Sequence, residues 1–296
     1  KVDGAAPSHT GVTVASSTAG SNGWYKALSK KVTLSDGHSG VASAKYCFTT
    51  GSSCTPGTAA AISSNAFTAT FGGNASAQKL CWNITDNAGN TSGTACDGTT
   101  YKVDTESPRI GYAINWSTTT TGVNGWYKAL GIKSSVADNH SGISSVKYCI
   151  TTGSTCTPGT TATLSSNAFI LNLESNASAQ KICSQMTDNA GNTSSVQCSE
   201  AYKVDKVDPT VSMSLKMNGR TITMTVTSAT DAHSKIAGYE YTFKSADYTG
   251  SSGWITSQNY TTTVQYGGTY DYFCVTVKDN AGRTSQNCKR GVEVAG

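Results

Sequence analysis

Ten cysteines recur at fixed intervals in the 296-residue chain, and three of the stretches they bound are near copies: CWNITDNAGNTSGTAC from Cys81, CSQMTDNAGNTSSVQC from Cys183 and CVTVKDNAGRTSQNC from Cys274. Thiols in such a pattern can ligate metal, exchange redox equivalents or cross-link permanently. No CxxC pair occurs, and the histidines do not accompany the cysteines at ligand spacing, so neither a zinc site nor a redox dithiol is indicated. Cross-linking remains, and it places the chain outside the cytosol. If pairing stays within a repeat, Cys274 and Cys288 have only each other. Carried back through the repeats, that pairing joins Cys81 to Cys96 and Cys183 to Cys198. Cys47 with Cys54 and Cys149 with Cys156 then close the loops CFTTGSSC and CITTGSTC.

Oxygen and nitrogen ligands recur as well. Asp104, Asp138, His140, Asp188 and Asn189 fall in segments that a sandwich fold gathers at one pole, where carboxylates and amides are the ligand set of calcium. Aspartates in turns ordinarily cap local backbone amides, and that is the expectation for these. His38, His140 and His233, in DGHSG, DNHSG and DAHSK, repeat without a paired nucleophile. They read as loop residues hydrogen-bonded to neighbouring backbone, so no catalytic residue is assigned and no enzyme activity is expected. Trp24 and Trp126, in two copies of NGWYKAL, read as packing residues at the edge of a core. Trp116 and Trp254, which have no counterpart in the other repeats, and Tyr112, where the first two repeats differ most, are the candidate binding residues.

The elements that hold these residues come in three units. Lys-Val-Asp occurs at Lys1, Lys102 and Lys203, and a proline follows at Pro7, Pro108 and Pro209, so the step is 101 residues both times. The units are expected at residues 1–101, 102–203 and 204–296, with short joints and no flexible linker. Within each, apolar residues alternate with period 2 in short runs separated by Gly, Asn, Asp and Ser, and helical periodicity is absent. The class is all-β, and about 100 residues with strands at this spacing implies a seven-strand sandwich of immunoglobulin type. In unit one, strands are expected near 32–35, 42–49, 66–71 and 80–85, with a last strand running into Tyr101. The DNAG stretch is expected to make a tight turn through positive φ at Asn and Gly. Cys81, out of phase with Leu80, Trp82 and Ile84, is expected to face outward.

Only 14% of residues are charged and the net charge is +4, with lysines scattered, so nucleic acid is not an expected partner. No run is long enough to span a membrane as a helix, and the first ten residues lack the apolar centre of a signal peptide, as expected of an excised mature fragment.

The series NGWYKAL, VTLSDGHSGV, Tyr46, DNAGNTS and YKVDTESP resembles the bacterial Ig-like domains found in tandem on surface proteins and beside secreted glycoside hydrolases. Their pattern runs NGWY, a strand, D-x-x-S-G with Val or Ile next, a Tyr, then D-x-A-G-N and a V-D-T-x-x-P joint. The resemblance covers units one and two almost wholly and unit three from Pro209, and the paired cysteines depart from the commoner cysteine-free form. It implies an elongated rod of three sandwiches on an extracellular bacterial protein, an adhesin-type segment that spaces or presents a binding region. Two alternatives are a dedicated binder of a host protein, such as an immunoglobulin, or of a glycan, and an accessory region of a secreted glycosidase. No cofactor is expected apart from calcium at the junctions.

Overall fold

Alternation along Ala75–Asp86 decides how the first unit packs. Leu80, Trp82 and Ile84 are each at most 1% exposed and enter the core, while Lys79, Asn83 and Thr85 stay half-buried on the other face. Cys81 has the outward parity expected of it and is nevertheless fully buried. The reason is its neighbours. Cys47 and Cys96 flank it in register on the adjoining strands, so the unit's two disulfides lie together on that outer face and cover it. The disulfides are Cys47–Cys54, Cys81–Cys96, Cys149–Cys156, Cys183–Cys198 and Cys274–Cys288. Closing a loop of about 15 residues stabilises by ~3 kcal/mol in the chain-entropy model.

The computed structural model describes residues 2–264 and 268–294. It is all-β, without a helix among the described residues. Unit three shows the plan most simply. One sheet runs Thr210–Asn218, Thr221–Thr230, Asn259–Thr263; the other runs Thr249–Ile255, Ile236–Ser245, Gly268–Asp279, Thr284–Val294. Both face one core that includes Ile222, Met224, Tyr241 and Phe273. The chain is thus a tandem array of immunoglobulin-like β-sandwiches, each unit with its own apolar interior.

Units one and two vary this plan at the end nearest the next unit. The last strand divides into Ala95–Cys96 and Tyr101–Val103 in unit one, and into Gln197–Cys198 and Tyr202–Val204 in unit two. Tyr101–Val103 runs parallel to Trp24–Tyr25 and antiparallel to the start of Ala75–Asp86. Strand pairing therefore carries unit one to Val103 and unit two to Val204, slightly past the boundaries expected at 101 and 203. The strand expected near 32–35 is longer too. Trp24–Ser35 pairs with Tyr101–Val103 through its start and with Ala66–Thr70 further on, so it belongs to both layers. Before it lies Ser8–Ala19, an almost wholly exposed edge strand.

Positive φ falls at other residues than expected. In DNAG only Gly89, Gly191 and Gly282 take it. Asn22 and Gly23 of the NGWY motif both do, at 54° and 76°, as do Asn124 and Gly125 at 53° and 75°. With Trp24 N–H donating to Ser21 O at 3.0 Å, these are the two-residue turns whose twist suits a hairpin. The D-x-H-S-G loop ends on Gly40 and Gly142 at φ 82° and 78°, where unit three places Lys235 at 69°. Left-handed backbone costs a residue with a Cβ about 1–2 kcal/mol. Replacing Lys235 by Gly should therefore raise the stability of unit three by about 1 kcal/mol in urea denaturation, whereas Gly142→Lys should lower that of unit two.

Candidate functional site

The recurring polar residues converge on the joints. Tyr101–Val103 ends unit one, and the next residue, Asp104, donates its backbone N–H to Tyr25 O of that unit at 3.0 Å. Its carboxylate accepts from Ser141 N–H of unit two at 3.0 Å, and its carbonyl accepts from the Asn192 side chain at 2.8 Å. Asp205 repeats this between units two and three, its N–H donating to Tyr127 O at 3.0 Å and its carboxylate accepting from Ser234 N–H at 3.1 Å. Both aspartates are fully buried. The residue after each is held as well, with Thr105 N–H donating to Asn74 Oδ1 at 2.8 Å and Lys206 N–H to Asn176 Oδ1 at 2.7 Å.

A second attachment comes from the NGWY hairpins. Ser21 N–H donates to Asn189 O at 2.7 Å, and Asn189 Oδ1 accepts from Ser21 Oγ at 3.0 Å and from Asn22 Nδ2 at 3.4 Å. At the next joint Asn124 Nδ2 donates to Asn280 Oδ1 at 3.2 Å, and Lys128 Nζ donates to Gly282 O at 2.7 Å. The hairpin approaches so closely that a Cβ on Gly20 would stand 2.2 Å from Asn189 O, and one on Gly122 2.3 Å from Ala281 O. Ala190 and Ala281 are fully buried beneath these tips.

Under each turn three carboxylates meet: Asp3, Asp36 and Asp86; Asp104, Asp138 and Asp188; Asp205, Asp231 and Asp279, with one oxygen from each within 4.8 Å of the others. Their hydrogen bonds are largely local caps. Asp138 Oδ1 accepts from the backbone of His140 and Gly142, and Asp188 Oδ1 from that of Asn192. Asn192 Nδ2 closes the second oxygen of Asp188 at 2.8 Å, as Asn90 Nδ2 does for Asp86. Unit three has Arg283 in that place, and its guanidinium turns away to Asp208 at 2.7 Å. Asp279 Oδ2 and Asp231 Oδ2 are left buried without a hydrogen-bond partner.

Electrostatics follow the donors. Burial works to raise Asp86, but donors from Asn90 and Ala88 outweigh it and hold the carboxyl below its usual range. Burial pushes Asp188 up, with the charge of Asp104 adding to it, and pushes Asp279 up, with Asp205 and Asp231 adding. The set offers oxygen donors alone, which suits a hard cation such as calcium.

The other expected site residues lie elsewhere. His38 and His140 are exposed, and in all three loops the bonded group is the histidine's backbone N–H, given to Asp36, Asp138 or Asp231 at 3.1 Å. His140 Nε2 lies 3.6 Å from Glu106. Trp24 and Trp126 are buried. Tyr112 is half-buried against the unit-two core with its hydroxyl donating to Gln197 O at 2.8 Å. Trp116 stands 65% exposed. Trp254 is 43% exposed, but Lys278 Nζ lies 4.1 Å over its ring. Composition had hidden Asn74 and Asn176, because Asn-Ala-Ser is unremarkable in so polar a chain; its repetition 102 residues on, from 74 to 176, was the available signal.

Neither a protein-family model nor a curated protein matches the chain. Among solved structures it is similar to part of a 1.5-MDa bacterial ice-binding adhesin, at 14% identity over 90% of each chain and a TM-score of 0.37. A run of titin domains is similar at 12% identity over 97% of this chain and 99% of that one, TM-score 0.39. Fibronectin(III)-like modules of Clostridium thermocellum CbhA match at 16% identity over 65% of this chain and 94% of theirs, TM-score 0.27.

A carboxyl raised on folding weakens the fold at neutral pH. The folded state then binds the proton more tightly than the unfolded one, so stability is recovered as pH falls through the raised value toward the ordinary 3.8. Asp279→Asn supplies an N–H where Oδ2 is unpartnered and removes that charge. It should stabilise unit three by about 1–3 kcal/mol at pH 7 in chelator, and the gain should shrink toward pH 4, as read by urea melts across that range.

Proposed function

We propose that this chain is a stiff, non-catalytic segment of an extracellular bacterial surface protein, which spaces or presents a binding region away from the cell. The observation that carries this reading is the double fastening of each joint, by a strand end locked through Asp104 or Asp205 and by a hairpin tip seated on the next unit's DNAG turn. Two attachments separated in space resist bending in a way that a single linker cannot. Five closed disulfides and no free cysteine suit an oxidising exterior.

Calcium at the poles belongs to the same reading. It is supported by the oxygen-only donor set and by the two buried, unpartnered carboxylate oxygens of unit three. An ion there would offset the mutual repulsion of three carboxylates. Units one and two already spend one such oxygen on Asn90 or Asn192, so unit three binds most tightly.

Solution scattering should give a maximum dimension near three domain lengths. Gly20→Val should broaden that distribution while leaving each unit's melting unchanged within about 0.5 kcal/mol; a compact profile for the unaltered chain would sink the spacer reading. For the ion, calorimetric titration of chelator-stripped chain should show calcium binding. At a hundredfold excess over Kd the unit-three transition should gain about 2.7 kcal/mol, and Asp279→Asn should abolish the gain. Absence of both heat and shift at millimolar calcium would remove calcium from the account.

A further inference from the structure

Tyr239, Tyr241 and Phe243 turn into the core of unit three, which leaves Gly238 and Glu240 on the outer face of its four-stranded sheet. That face departs from the other two units at four neighbouring positions. Where units one and two pair Ser43 with Thr85 and Ser145 with Thr187, unit three pairs Gly238 with Lys278. One step along the same face, Lys45 opposite Ala59 and Lys147 opposite Thr161 give way to Glu240 opposite Trp254. The strand that brings Trp254, Thr249–Ile255, has seven residues against two in each of the other units. A bulge sets its aim, since the register shifts between Glu240 and Thr242 and Gly253, at φ 62°, stands just before the indole. Hydrogen bonds pin that bulge. Ser252 Oγ accepts from Tyr241 N–H at 2.9 Å, and Ser251 Oγ accepts from Gly253 N–H at 2.9 Å and donates to Glu240 Oε1 at 2.8 Å.

These changes fit one another. Gly238 is buried, and a Cβ there would stand 3.0 Å from Ile255 O and 3.9 Å from the indole Cε3, so the serine of the other units would crowd both strand and ring. Lys278 Nζ lies 4.1 Å from the ring centroid, and among the described residues no carboxylate pairs with it. Glu240 is engaged by Ser251 and does not line the cleft that opens beside the ring and the ammonium. That cleft measures about 390 Å³ and is lined by Ala237, Gly238, Trp254, Ile255, Thr256 and Lys278. Its size suits a small ligand, on which one aromatic face and one cation converge. A cation is held weakly over an exposed ring, whereas its bond to a carboxylate is charge-assisted. An anion in the cleft therefore draws the ammonium off the indole and frees that face for stacking.

We propose that this cleft binds a carboxylated pyranose at the end of a glycan chain, with the sugar ring on Trp254 and its carboxylate on Lys278. Thr256 adds a hydroxyl for the ring's own hydroxyls. A neutral hexose offers Lys278 no charge, and a small inorganic anion offers Trp254 no face, so the pair selects for a ligand that carries both. The site lies within unit three and owes nothing to the joints. It therefore goes beyond the spacer reading and supplies a binding region for the array to present.

The test titrates the full chain, disulfides closed, with methyl β-glucuronide and with methyl β-glucoside, which differ only in a carboxylate against a hydroxymethyl group. Binding is read by NMR from the indole N–H signals and from the sugar's own resonances. The glucuronide should shift the Trp254 indole signal saturably, and the glucoside should bind at least tenfold more weakly. Lys278→Gln should weaken the glucuronide at least tenfold and leave the glucoside unchanged, while Trp254→Ala should remove binding of both. Equal affinity for the two sugars, glucuronide binding that survives either substitution, or a Trp254 signal that stays still up to the sugar's solubility limit would each overturn the proposal. So would displacement of the glucuronide by equimolar sodium acetate, which would mark a site for simple anions. Should Trp254→Ala leave Cys274–Cys288 open, Lys278→Gln carries the comparison alone, because that change removes a charge with no carboxylate partner. The scattering profile that decides the spacer reading bears on none of these outcomes, so the two failures are distinct.

Discussion

Everything at the joints depends on one buried aspartate per junction that is shared between two folded units. Asp104 gives its N–H backward to Tyr25 and takes Ser141 N–H forward on its carboxylate, and Asp205 does the same with Tyr127 and Ser234. A fully buried carboxylate is tolerable only where donors surround it, and backbone amides fixed by two separate sandwiches are such donors. The two folds are thereby made to agree on one geometry. Moving either unit would strip a buried charge of hydrogen bonds worth about 1.5–3 kcal/mol each. The proline that follows four residues later, Pro108 or Pro209, narrows the backbone's alternatives further.

The same clustering brings a tension that the units resolve differently. Capping the D-x-H-S-G loop, the DNAG turn and the joint each requires an aspartate, and all three arrive at one pole. In units one and two an asparagine side chain ties off the remaining oxygen of Asp86 or Asp188. In unit three the substituted Arg283 instead reaches Asp208, just before that unit's first strand, and leaves Asp279 Oδ2 without a partner. Unit two has its own departure. Ser184 stands where unit one has Trp82, and its interior divides into two clusters, with Tyr112 packed against the one that holds Leu130 and Ile132. Tyr112, singled out because it lies where the repeats differ most, stands half-buried against that cluster.

Repetition made the architecture legible, and local physics made the rest hard to read. The all-β class, the three units, the cysteine spacing and the joints were open to inspection because each occurs two or three times. Ser8–Ala19 was not, because an edge strand that gives the core little beyond Val12 and His9 shows almost no alternation to detect. The outward phase of Cys81 could be read, but its burial depends on Cys47 and Cys96 two strands apart in register, which no single-strand pattern contains. The turn chemistry was exchanged between motifs. Asn-Gly in NGWY adopts the positive φ of a hairpin turn, while Asn87 in DNAG spends its side chain on carbonyls of a loop nearly fifty residues earlier. The pole's carboxylates could be gathered from strand order alone, whereas the missing partner of Asp279 follows from where one arginine side chain points.

These features bear on why a disulfide recurs beside every DNAG. In units two and three the turn is the seat for the preceding unit's hairpin, and in every unit it projects from the strand that carries Cys81, Cys183 or Cys274. Load applied along the array would enter units two and three through that turn and through the joint strand. Cys96, Cys198 and Cys288 lie on the returning strand, directly opposite in register, with Cα atoms 4.0 to 4.1 Å from their partners. A hydrogen-bonded hairpin in that position would open by fraying from the turn inward, since backbone bonds break one at a time. A covalent bond across it confines fraying to the residues between the cysteine and the tip. The unit then keeps its seat until the whole sandwich unfolds, and the array's stability approaches a sum of unit and junction contributions.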